Sequence, residues 1–415
     1  MDLPFARSER SSVGIEWELA LVDADSGDLR QVAQTVLDAV APEGGGQHPL
    51  IRQELLLNTV EVVSRPRRTV AEAGADLQEA IDEIRTVTDP LRVELMCAGT
   101  HPFARWDNQK VTDQERYATL IDRTQWWGRQ MLIYGVHVHV GIEDRDKVLP
   151  ISNAMLAYYG HLQALSASSP FWGGKATGYA SNRALMFQQL PTAGLPFHFQ
   201  EWSELEHYVQ DLTTTGVIDV FDEIRWDLRP SPKFGTLEVR VCDGIPTMSE
   251  LMSISALTHC LVEHFSSELD AGHDLPDLPP WFAQENKWRS ARYGMDSWLI
   301  LDQHAHEDLV TADLARLLVT LEPVAERLGC TDELAGIDDI VRASEYRSST
   351  RSTSRVSTGP SSSSGRATTS TSAWAMRSWK KPGAISNEET TTRRSTPPAR
   401  ASATTSSSGR PVPPT

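Results

Sequence analysis

Gly-Ile-Glu-Trp-Glu-Leu, at residues 14–19, is the most informative stretch of this sequence. Successive side chains of a β-strand point to opposite faces, so Glu16 and Glu18 share one face while Ile15, Trp17 and Leu19 share the other. Two neighbouring carboxylates repel each other unless a hard cation lies between them, and Mg²⁺ prefers oxygen ligands of this kind. The stretch therefore predicts a strand that carries half of a metal site.

The same alternation recurs in two later segments. Val-His-Val-His-Val places His137 and His139 on one face, and Leu-Glu-Val-Arg-Val does the same with Glu238 and Arg240. For each segment alone, the alternative is an amphipathic strand whose polar face is in water. A solvated face would more often use Thr or Lys, because Glu is a poor strand former. Together, the three segments predict one sheet with a functional face.

Composition limits the class of protein. The chain has 415 residues and 40% hydrophobic content, which is enough for one large domain or two small ones with a substantial core. From Arg347 onward there are 11 basic and 2 acidic residues, so this tail carries +9 of the net −17 and the first 346 residues carry −26. Residues 1–346 are too acidic to favour binding of nucleic acid, because contacts to its phosphates require clustered Lys and Arg. Anionic ligands would need metal ions to bridge them.

No segment has the length and apolar character of a signal peptide or a membrane span, so we expect a cytoplasmic protein that does not bind membranes. The cysteines share no metal-ligand spacing, which predicts reduced, mostly buried thiols and no structural zinc site. They are Cys97, Cys242, Cys260 and Cys330.

Strand and helix signals alternate up to about residue 346. Thr69 with Glu72 forms a capping box at the start of one helix, and Thr247 with Glu250 caps another that runs to about Glu268. Such a pattern predicts an α/β or α+β domain whose open sheet face is the active site. Further predicted elements are a strand at 91–98, helices near 114–133 and 149–167, and a helical pair at about 283–329 that Pro323 bends or splits.

Two more acids, Glu54 and Glu61, are seven residues apart. This spacing would place them on one face of a helix, but residues 60–63 are typical of a strand, where the two side chains would point to opposite faces. A bulge or a turn between them would reunite the side chains. Spacing alone leaves the question open.

Common nucleotide and nucleophile motifs are missing from the sequence. There is no Gly-x-x-x-x-Gly-Lys-Ser/Thr loop, no Gly-x-Gly-x-x-Gly after a strand and no Gly-x-Ser-x-Gly elbow. If ATP binds, it must therefore be held through metal ions and Arg side chains.

Five motifs occur together and carry a resemblance to a known family. They are Gly-Ile-Glu-Trp-Glu-Leu (14–19), Glu54 with Glu61, Ala-Gly-Thr-His-Pro-Phe (98–103), Gly-Val-His-Val-His-Val-Gly (135–141), and Trp-Asp-Leu-Arg-Pro-Ser-Pro (226–232) followed by Gly-Thr-Leu-Glu-Val-Arg (235–240). With them, about residues 10–345 resemble the glutamate-cysteine ligase type 2 family, in its bacterial carboxylate-amine ligase branch. The resemblance implies an α+β, glutamine-synthetase-like fold, in which a curved, mostly antiparallel sheet forms a funnel backed by helices.

The resemblance also implies ligands and residue roles. ATP would be held at one end of the funnel by two or three Mg²⁺ ions. Arg240 would meet the ATP phosphates and act in catalysis with Glu238, and Arg229 and Arg183 are further candidates for phosphate or substrate-carboxylate contacts. The implied metal ligands are Glu18, Glu54 and Glu61 for one ion, and Glu16, Glu238 and His137 for the others.

The reaction that the resemblance implies joins a carboxylate to an amine through an acyl phosphate, with release of ADP and phosphate. The family default is the γ-carboxylate of glutamate with cysteine as the amine, so the expected partners are small amino acids or amines. No protein nucleophile is required, because phosphoryl transfer depends mainly on positioning and charge neutralisation. Whether the protein forms a homodimer is left open.

Two other functions remain as alternatives. A metal-dependent hydrolase would use the His-x-His strand to activate water, but the surplus of acids suits Mg²⁺ better than Zn²⁺. A non-catalytic ATP-binding relative is the other alternative. His139 and His101 are also open, since the first can support a metal ligand or contact substrate and the second can satisfy a turn.

The C-terminal segment differs abruptly in composition. Residues 347–415 are rich in Ser, Thr, Arg and Pro, with Ser361 to Ser364 in a row, and show no amphipathic period. We therefore expect a catalytic domain at 1–346 and a disordered tail at 347–415 that is dispensable for the chemistry. A shifted reading frame would also produce such a tail.

Overall fold

A computed structural model shows the fold and describes residues 2–354, with side chains up to residue 344. Within this range the chain forms eleven strands and eleven α-helices. The strands are β1 (Val13–Asp23), β2 (Ile51–Gln53), β3 (Thr59–Val63), β4 (Val93–Met96), β5 (Val136–Gly141), β6 (Phe171–Trp172), β7 (Lys175–Ala176), β8 (Leu228–Ser231), β9 (Thr236–Val239), β10 (Trp298–Ile300) and β11 (Glu307–Leu309). The helices are α1 (Ala33–Ala39), α2 (Val70–Thr88), α3 (Glu115–Arg129), α4 (Arg145–Met155), α5 (Tyr159–Ser166), α6 (Arg183–Phe187), α7 (Trp202–Thr214), α8 (Met248–Asp270), α9 (Pro280–Tyr293), α10 (Val310–Leu328) and α11 (Thr331–Ser354).

Seven strands form one sheet, in which all pairings among the described residues are antiparallel. The order is β2-β3-β1-β5-β9-β8, and β4 also pairs with β1. On the long strand β1, Ile15, Trp17 and Leu19 are buried, whereas Glu16 and Glu18 on the other face are partly exposed. The predicted α+β class with a mostly antiparallel sheet is confirmed.

Helices α2, α4 and α8 pack against the sheet. Helix α2 begins at the predicted capping box, with Thr69 and Glu72 each bonding the other's backbone N–H. Helix α8 begins after Thr247, whose hydroxyl accepts a hydrogen bond from the Glu250 N–H at 3.2 Å. The apolar sides of these helices and of the strands form one core, so the sheet is left with its polar face for a site.

Two helical predictions are corrected. The segment predicted as one helix at 149–167 is two, α4 and α5, because the N–H groups of residues 156–158 bond carbonyls three residues back and form a turn. Both helices are mostly buried, so the apolar pattern runs through the turn without a break. Between the predicted helical pair at 283–329, the chain also forms the hairpin β10–β11.

Pro323 does not split helix α10, which continues to Leu328 and ends at Gly329 in the left-handed region. A proline removes the hydrogen bond to the carbonyl four residues earlier, here that of Val319. Val319 is 71% exposed, so water can satisfy this carbonyl. The interruption is therefore tolerated on the solvent side of the helix.

Helix α11 passes the predicted domain boundary at residue 346 and continues to Ser354. The remainder of the predicted tail, residues 355–415, lies outside the described residues, so its predicted disorder stays a prediction. Between residues 2 and 354, no helix combines the length and apolar character needed to cross a bilayer.

Candidate active site

The register of neighbouring strands gathers the predicted residues on one face of the sheet. Directly opposed residues of antiparallel strands point to the same side, with side chains close enough to interact. Three such pairs result: Glu16 opposite His137, Glu18 opposite Glu61, and His139 opposite Glu238. We call this side of the sheet the acidic face.

Possible ligand atoms converge in two groups on the acidic face, each with all its atoms within 4.8 Å of one another. One group is Glu16, His137 and Glu238, and the other is Glu18, Glu61 and His137. Nδ1 of His137 lies 2.8 Å from Oε2 of Glu16. The other ring nitrogen, Nε2, is buried and has no hydrogen-bond partner among the described residues. His137 therefore joins the two groups and has a nitrogen available.

Glu238 with Arg229 and Arg240 forms what we call the arginine end of the acidic face. Glu238 is 1% exposed, and its Oε2 accepts hydrogen bonds from Nε and Nη2 of Arg229 at 2.8 and 2.6 Å. Nη1 of Arg240 donates to Oε1 of the same carboxylate. Burial opposes the charged form of Glu238, but Arg240 and then Arg229 overcome it and hold the pKa of this carboxyl well below its usual range.

Glu18, Glu54 and Glu61 form the opposite, carboxylate end. Burial and then the charge of Glu18 raise the pKa of Glu54 to about 7. Burial and the charges of neighbouring glutamates, first Glu16, raise the pKa of Glu61 well above its usual value. Among the described residues, no Lys or Arg forms an ion pair with any of these three carboxylates. Negative charge at this end is therefore offset only in part, by the charges of Arg116 near Glu54 and Arg240 near Glu61.

The turn between β2 and β3 explains how Glu54 and Glu61 come to interact. Strand β2 ends at Gln53, so Glu54 lies in the turn that leads to β3 and is not bound by strand alternation. Its carboxylate interacts electrostatically with Glu18, which agrees with a turn that brings Glu54 back to the face that carries Glu18. Its oxygens nevertheless lie outside the two converging groups, in which His137 accompanies Glu18 and Glu61.

The donor set suits a hard divalent cation. Carboxylate oxygens are the preferred ligands of Mg²⁺, and a bound cation would oppose both the burial and the repulsion that raise the pKa values of Glu54 and Glu61. The unpartnered nitrogen of His137 offers one further donor between the two groups. The residues present therefore fit the metal ions that the sequence predicts.

Arg183 is 4% exposed and lies against Gly135, the residue that precedes β5. A Cβ atom at Gly135 would lie only 1.9 Å from Nη2 of Arg183, so a glycine is required for this close approach. Nη1 of Arg183 donates to the carbonyl oxygen of Arg240 at 3.2 Å, and its Nε has no partner among the described residues. The N–H of Gly135 donates to Oε2 of Glu18 at 2.5 Å. Arg183 thus lies beside the carboxylate end with hydrogen-bonding capacity left over.

His139 and His101, whose roles the sequence left open, have different surroundings. His139 bonds the Thr236 hydroxyl through Nδ1 at 2.9 Å, and its Nε2 lies 3.5 Å from Oε1 of Glu16. Burial opposes protonation of His139, but Glu238 and Glu16 outweigh it and raise the pKa of this ring. His101 donates from Nε2 to the Gly27 carbonyl oxygen at 3.0 Å, and burial lowers its pKa to about 4. His101 is therefore a neutral ring that bonds turn backbone groups, since its Nδ1 also accepts the Ala104 N–H at 3.0 Å.

Sequence reasoning did not identify three polar residues beside the site. Thr236 could have been predicted, because it alternates with Glu238 and Arg240 along one strand face. Arg116 and Tyr117, on helix α3, gave no such signal. Arg116 stacks 4.3 Å above the Tyr117 ring, and both interact electrostatically with Glu54.

The fold is shared with solved ligase structures. Glutamate–cysteine ligase of Francisella tularensis superposes with a TM-score of 0.57 at 14% identity, covering 81% of this chain and 82% of that one. A bifunctional glutathione synthetase of Pasteurella multocida gives 0.55 at 17% identity, over 80% of this chain and 46% of that chain. At these identities the likeness concerns the fold, and the chain spans about half the length of the second protein.

Sequence comparison defines the class and then the family. A relative from Leifsonia xyli subsp. xyli, provisionally named glutamate–cysteine ligase 2, is 60% identical over 340 residues, which is 82% of this chain and 90% of the relative. A provisionally named glutamate–cysteine ligase 2-1 from an Arthrobacter species is 59% identical over 346 residues, with the same coverage. The protein is accordingly a carboxylate–amine ligase. Residues 12–365 match the description "Glutamate-cysteine ligase family 2 (GCS2)", and the chain belongs to that family.

Proposed function

We propose that this ligase uses ATP to join the γ-carboxylate of glutamate to the amino group of cysteine. The carboxylate would attack the γ-phosphorus of ATP and form an acyl phosphate with release of ADP. The amine would then attack the acyl carbon and expel phosphate, with loss of one proton from the nitrogen. Activation is required because a free carboxylate is a poor electrophile.

The unequal charge of the acidic face is the observation that carries the proposal. A triphosphate and a substrate carboxylate are both anions, and they would be repelled by Glu18, Glu54 and Glu61 unless cations intervene. The converging groups around His137 offer ligands for such cations. We propose two or three Mg²⁺ ions, with Glu18, Glu54 and Glu61 near one, and Glu16, Glu238 and His137 near the others. Bound there, Mg²⁺ would neutralise phosphate charge and orient the γ-phosphate for in-line transfer.

The arginines supply fixed positive charge at the other end. Arg240 keeps one buried guanidinium nitrogen, Nε, without a partner among the described residues, and we propose that this side chain meets the phosphates. Its bond to Glu238 holds the guanidinium in place before substrate arrives, so that no reorganisation is required during phosphoryl transfer. These two residues are the proposed catalytic pair. We propose that Arg229 positions Glu238, because it donates two hydrogen bonds to that carboxylate.

Arg183 is the proposed contact for the substrate carboxylate. It is buried, carries an unpartnered Nε, and lies at the edge of the acidic face beside Gly135. A guanidinium can bind a carboxylate through two parallel hydrogen bonds, which would give orientation as well as affinity.

A hydrolase that uses the His-x-His strand is less well supported. His139 lies outside both converging groups in the described part of the chain, and its Nδ1 is already bonded to Thr236. The two histidines therefore do not form a shared ligand set.

The substrates are proposed to be small molecules, with neither nucleic acid nor membrane as partner. A cytoplasmic location is a further prediction.

The test is a screen of amino acids and amines for ATP-dependent release of phosphate, followed by isotope transfer. Glutamate labelled with ¹⁸O in its γ-carboxylate should transfer one labelled oxygen to the released phosphate, because an acyl phosphate shares that oxygen. We expect ADP, phosphate and amide in equal amounts only when Mg²⁺, carboxylate and amine are all present. Replacing Glu94, an exposed residue of β4, with Gln provides a matched control that should leave turnover unchanged.

Two results would contradict the proposal. ADP formation at full rate without an amine would indicate a simple ATPase. Cleavage of an amide without ATP would indicate the hydrolase. A different pair of substrates with intact label transfer would retain the mechanism and correct only the assignment of glutamate and cysteine.

A further inference from the structure

Two of the four cysteines lie side by side in the core. Cys260, in the middle of α8, and Cys330, between α10 and α11, are both fully buried, and their sulfur atoms are 3.6 Å apart. They are separated by 70 residues in sequence. Both belong to the apolar core that lies behind the sheet, together with Ile15 and Val138. The ligase site does not use either thiol.

A histidine and a helix terminus adjoin this pair. His259 bonds the Ser11 carbonyl oxygen through Nε2 at 2.7 Å, so that nitrogen carries the proton and Nδ1 is left with a lone pair. This Nδ1 is buried and has no hydrogen-bond partner among the described residues. Cys330 immediately precedes α11, where the helix dipole favours a thiolate, and its carbonyl accepts the Leu334 N–H.

These neighbours make the two thiols unequal. The hydrogen bond from the Cys260 thiol lowers the pKa of Cys330 to about 6 against the opposing effect of burial, and His259 acts in the same direction when its Nδ1 takes up a proton. The pKa of Cys260 is raised by its contact with Cys330 and by burial. One sulfur is thus suited to attack an oxidant, and the other lies within reach to resolve the product.

We propose that Cys260 and Cys330 form an oxidisable dithiol that closes to a disulfide and locks α8 to the junction of α10 and α11. With a peroxide as oxidant, the Cys330 thiolate attacks one peroxide oxygen, and the O–O bond breaks to give a sulfenic acid and hydroxide. The Cys260 sulfur then attacks the sulfenic sulfur and expels a second hydroxide, which takes up the Cys260 proton to form water. The first hydroxide takes up the proton that Cys330 lost on forming the thiolate, so two thiols are oxidised and one peroxide is reduced to two waters in all.

The chain provides its own control in Cys97 and Cys242. Both are buried, and burial raises the pKa of each, that of Cys242 to about 12. Neither has a second cysteine among its hydrogen-bond partners in the described structure. If burial alone governed reactivity, all four thiols would react alike.

The test treats the full-length folded protein with hydrogen peroxide, alkylates the remaining thiols and maps the peptides without reduction. We expect one crosslink, between the peptides containing Cys260 and Cys330, which dithiothreitol reverses. Cys97 and Cys242 should remain alkylatable after unfolding, with oxidation slower by at least about tenfold. Oxidation should also raise the thermal midpoint, because a crosslink across this long loop restricts the unfolded chain.

Variants separate the two steps. In Cys260→Ser, peroxide should leave a sulfenic acid at Cys330 that dimedone traps, and the thermal midpoint should no longer rise. In His259→Gln, formation of the crosslink should slow while Cys97 is unaffected. The proposal is overturned if wild-type protein oxidises at all four cysteines at one rate, or if Cys330 crosslinks only between chains. It is equally overturned if no crosslink forms while the protein remains folded.

Discussion

The two ends of the acidic face hold carboxylates in opposite ways. At the arginine end, two guanidiniums surround Glu238, and the pKa of this carboxyl is well below its usual range. At the carboxylate end, Glu54 and Glu61 have raised pKa values, and no Lys or Arg pairs with them in the described part of the chain. The first end has its counter-charges within the protein, whereas we propose that a cation completes the second. On this proposal, fixed positive charge that can stabilise a phosphoryl group lies at one end and the metal ions bind at the other.

The largest expected effects come from removing one charge at each end. Glu18→Gln and Glu238→Gln should each lower turnover by at least about 100-fold, since each alters a proposed metal ligand. Their effects on stability should differ in sign. Without divalent cations, Glu18→Gln relieves repulsion and should not lower the free energy of unfolding, whereas Glu238→Gln leaves two guanidiniums short of a counter-charge and should lower it by about 3 kcal/mol.

Coupled ADP release and urea unfolding in EDTA would measure these effects, with Glu94→Gln as the exposed control. Near-normal turnover in either variant would remove that residue from the site. Equal losses of stability in the two variants would show that the ends do not differ as described.

A second expected effect concerns the arginine end alone. Arg229→Met removes both hydrogen bonds to Oε2 of Glu238 and leaves that buried carboxylate with less compensation. We expect a loss of about 3 kcal/mol in the free energy of unfolding, with turnover also reduced. The control is Arg68→Met, because Arg68 is 78% exposed and its ion pair with Glu9 lies in solvent. Urea unfolding that gives the same small change for both variants would contradict the account.

The smallest expected effect concerns Asp76, a buried carboxylate away from the acidic face that arginines also hold in its charged form. Asp76 is 2% exposed and is bonded by Arg67 at 2.6 and 2.8 Å and by the Arg65 backbone at 2.9 Å. Burial opposes the charged form, but the bonds from Arg67 and Arg65 lower the pKa of Asp76 below its usual value. Its stabilising contribution is therefore present above the unfolded pKa of about 3.9 and is lost as pH falls through the lower folded value.

Asp76→Asn should accordingly cost about 1.5 kcal/mol near pH 7, and the difference from wild type should shrink towards about pH 3. Turnover at a temperature where both proteins are folded should not change. Urea unfolding across pH would measure this, and a difference that grows on acidification would contradict the assigned direction of the pKa shift.

Strand alternation allowed much of the acidic face to be predicted from sequence. The parity of Glu16 with Glu18 and of His137 with His139 depends only on local backbone geometry, and the observed register keeps both. Thr69 and Thr247 marked helix starts for the same reason, since a cap is a local bond.

Features that depend on distant contacts could not be predicted. The turn that carries Glu54 towards Glu18 follows from how β2 leads into β3, and the approach of Arg183 to Gly135 brings together residues far apart in sequence. Helices α4 and α5 were merged because buried residues on both sides of the turn give a continuous apolar pattern. Arg116 is placed near Glu54 only by the packing of α3.

The most direct test of the central claim is to count bound Mn²⁺ by electron paramagnetic resonance, in the presence of a non-hydrolysable ATP analogue. Mn²⁺ accepts the same oxygen ligands as Mg²⁺ and is visible in the spectrum. We predict that Glu61→Gln binds fewer ions per chain than wild type, while Arg229→Met retains the full number with weaker binding of the analogue. An unchanged number and affinity in Glu61→Gln, or no Mn²⁺ bound by the wild-type protein, would contradict the assignment of the carboxylate end as a metal site.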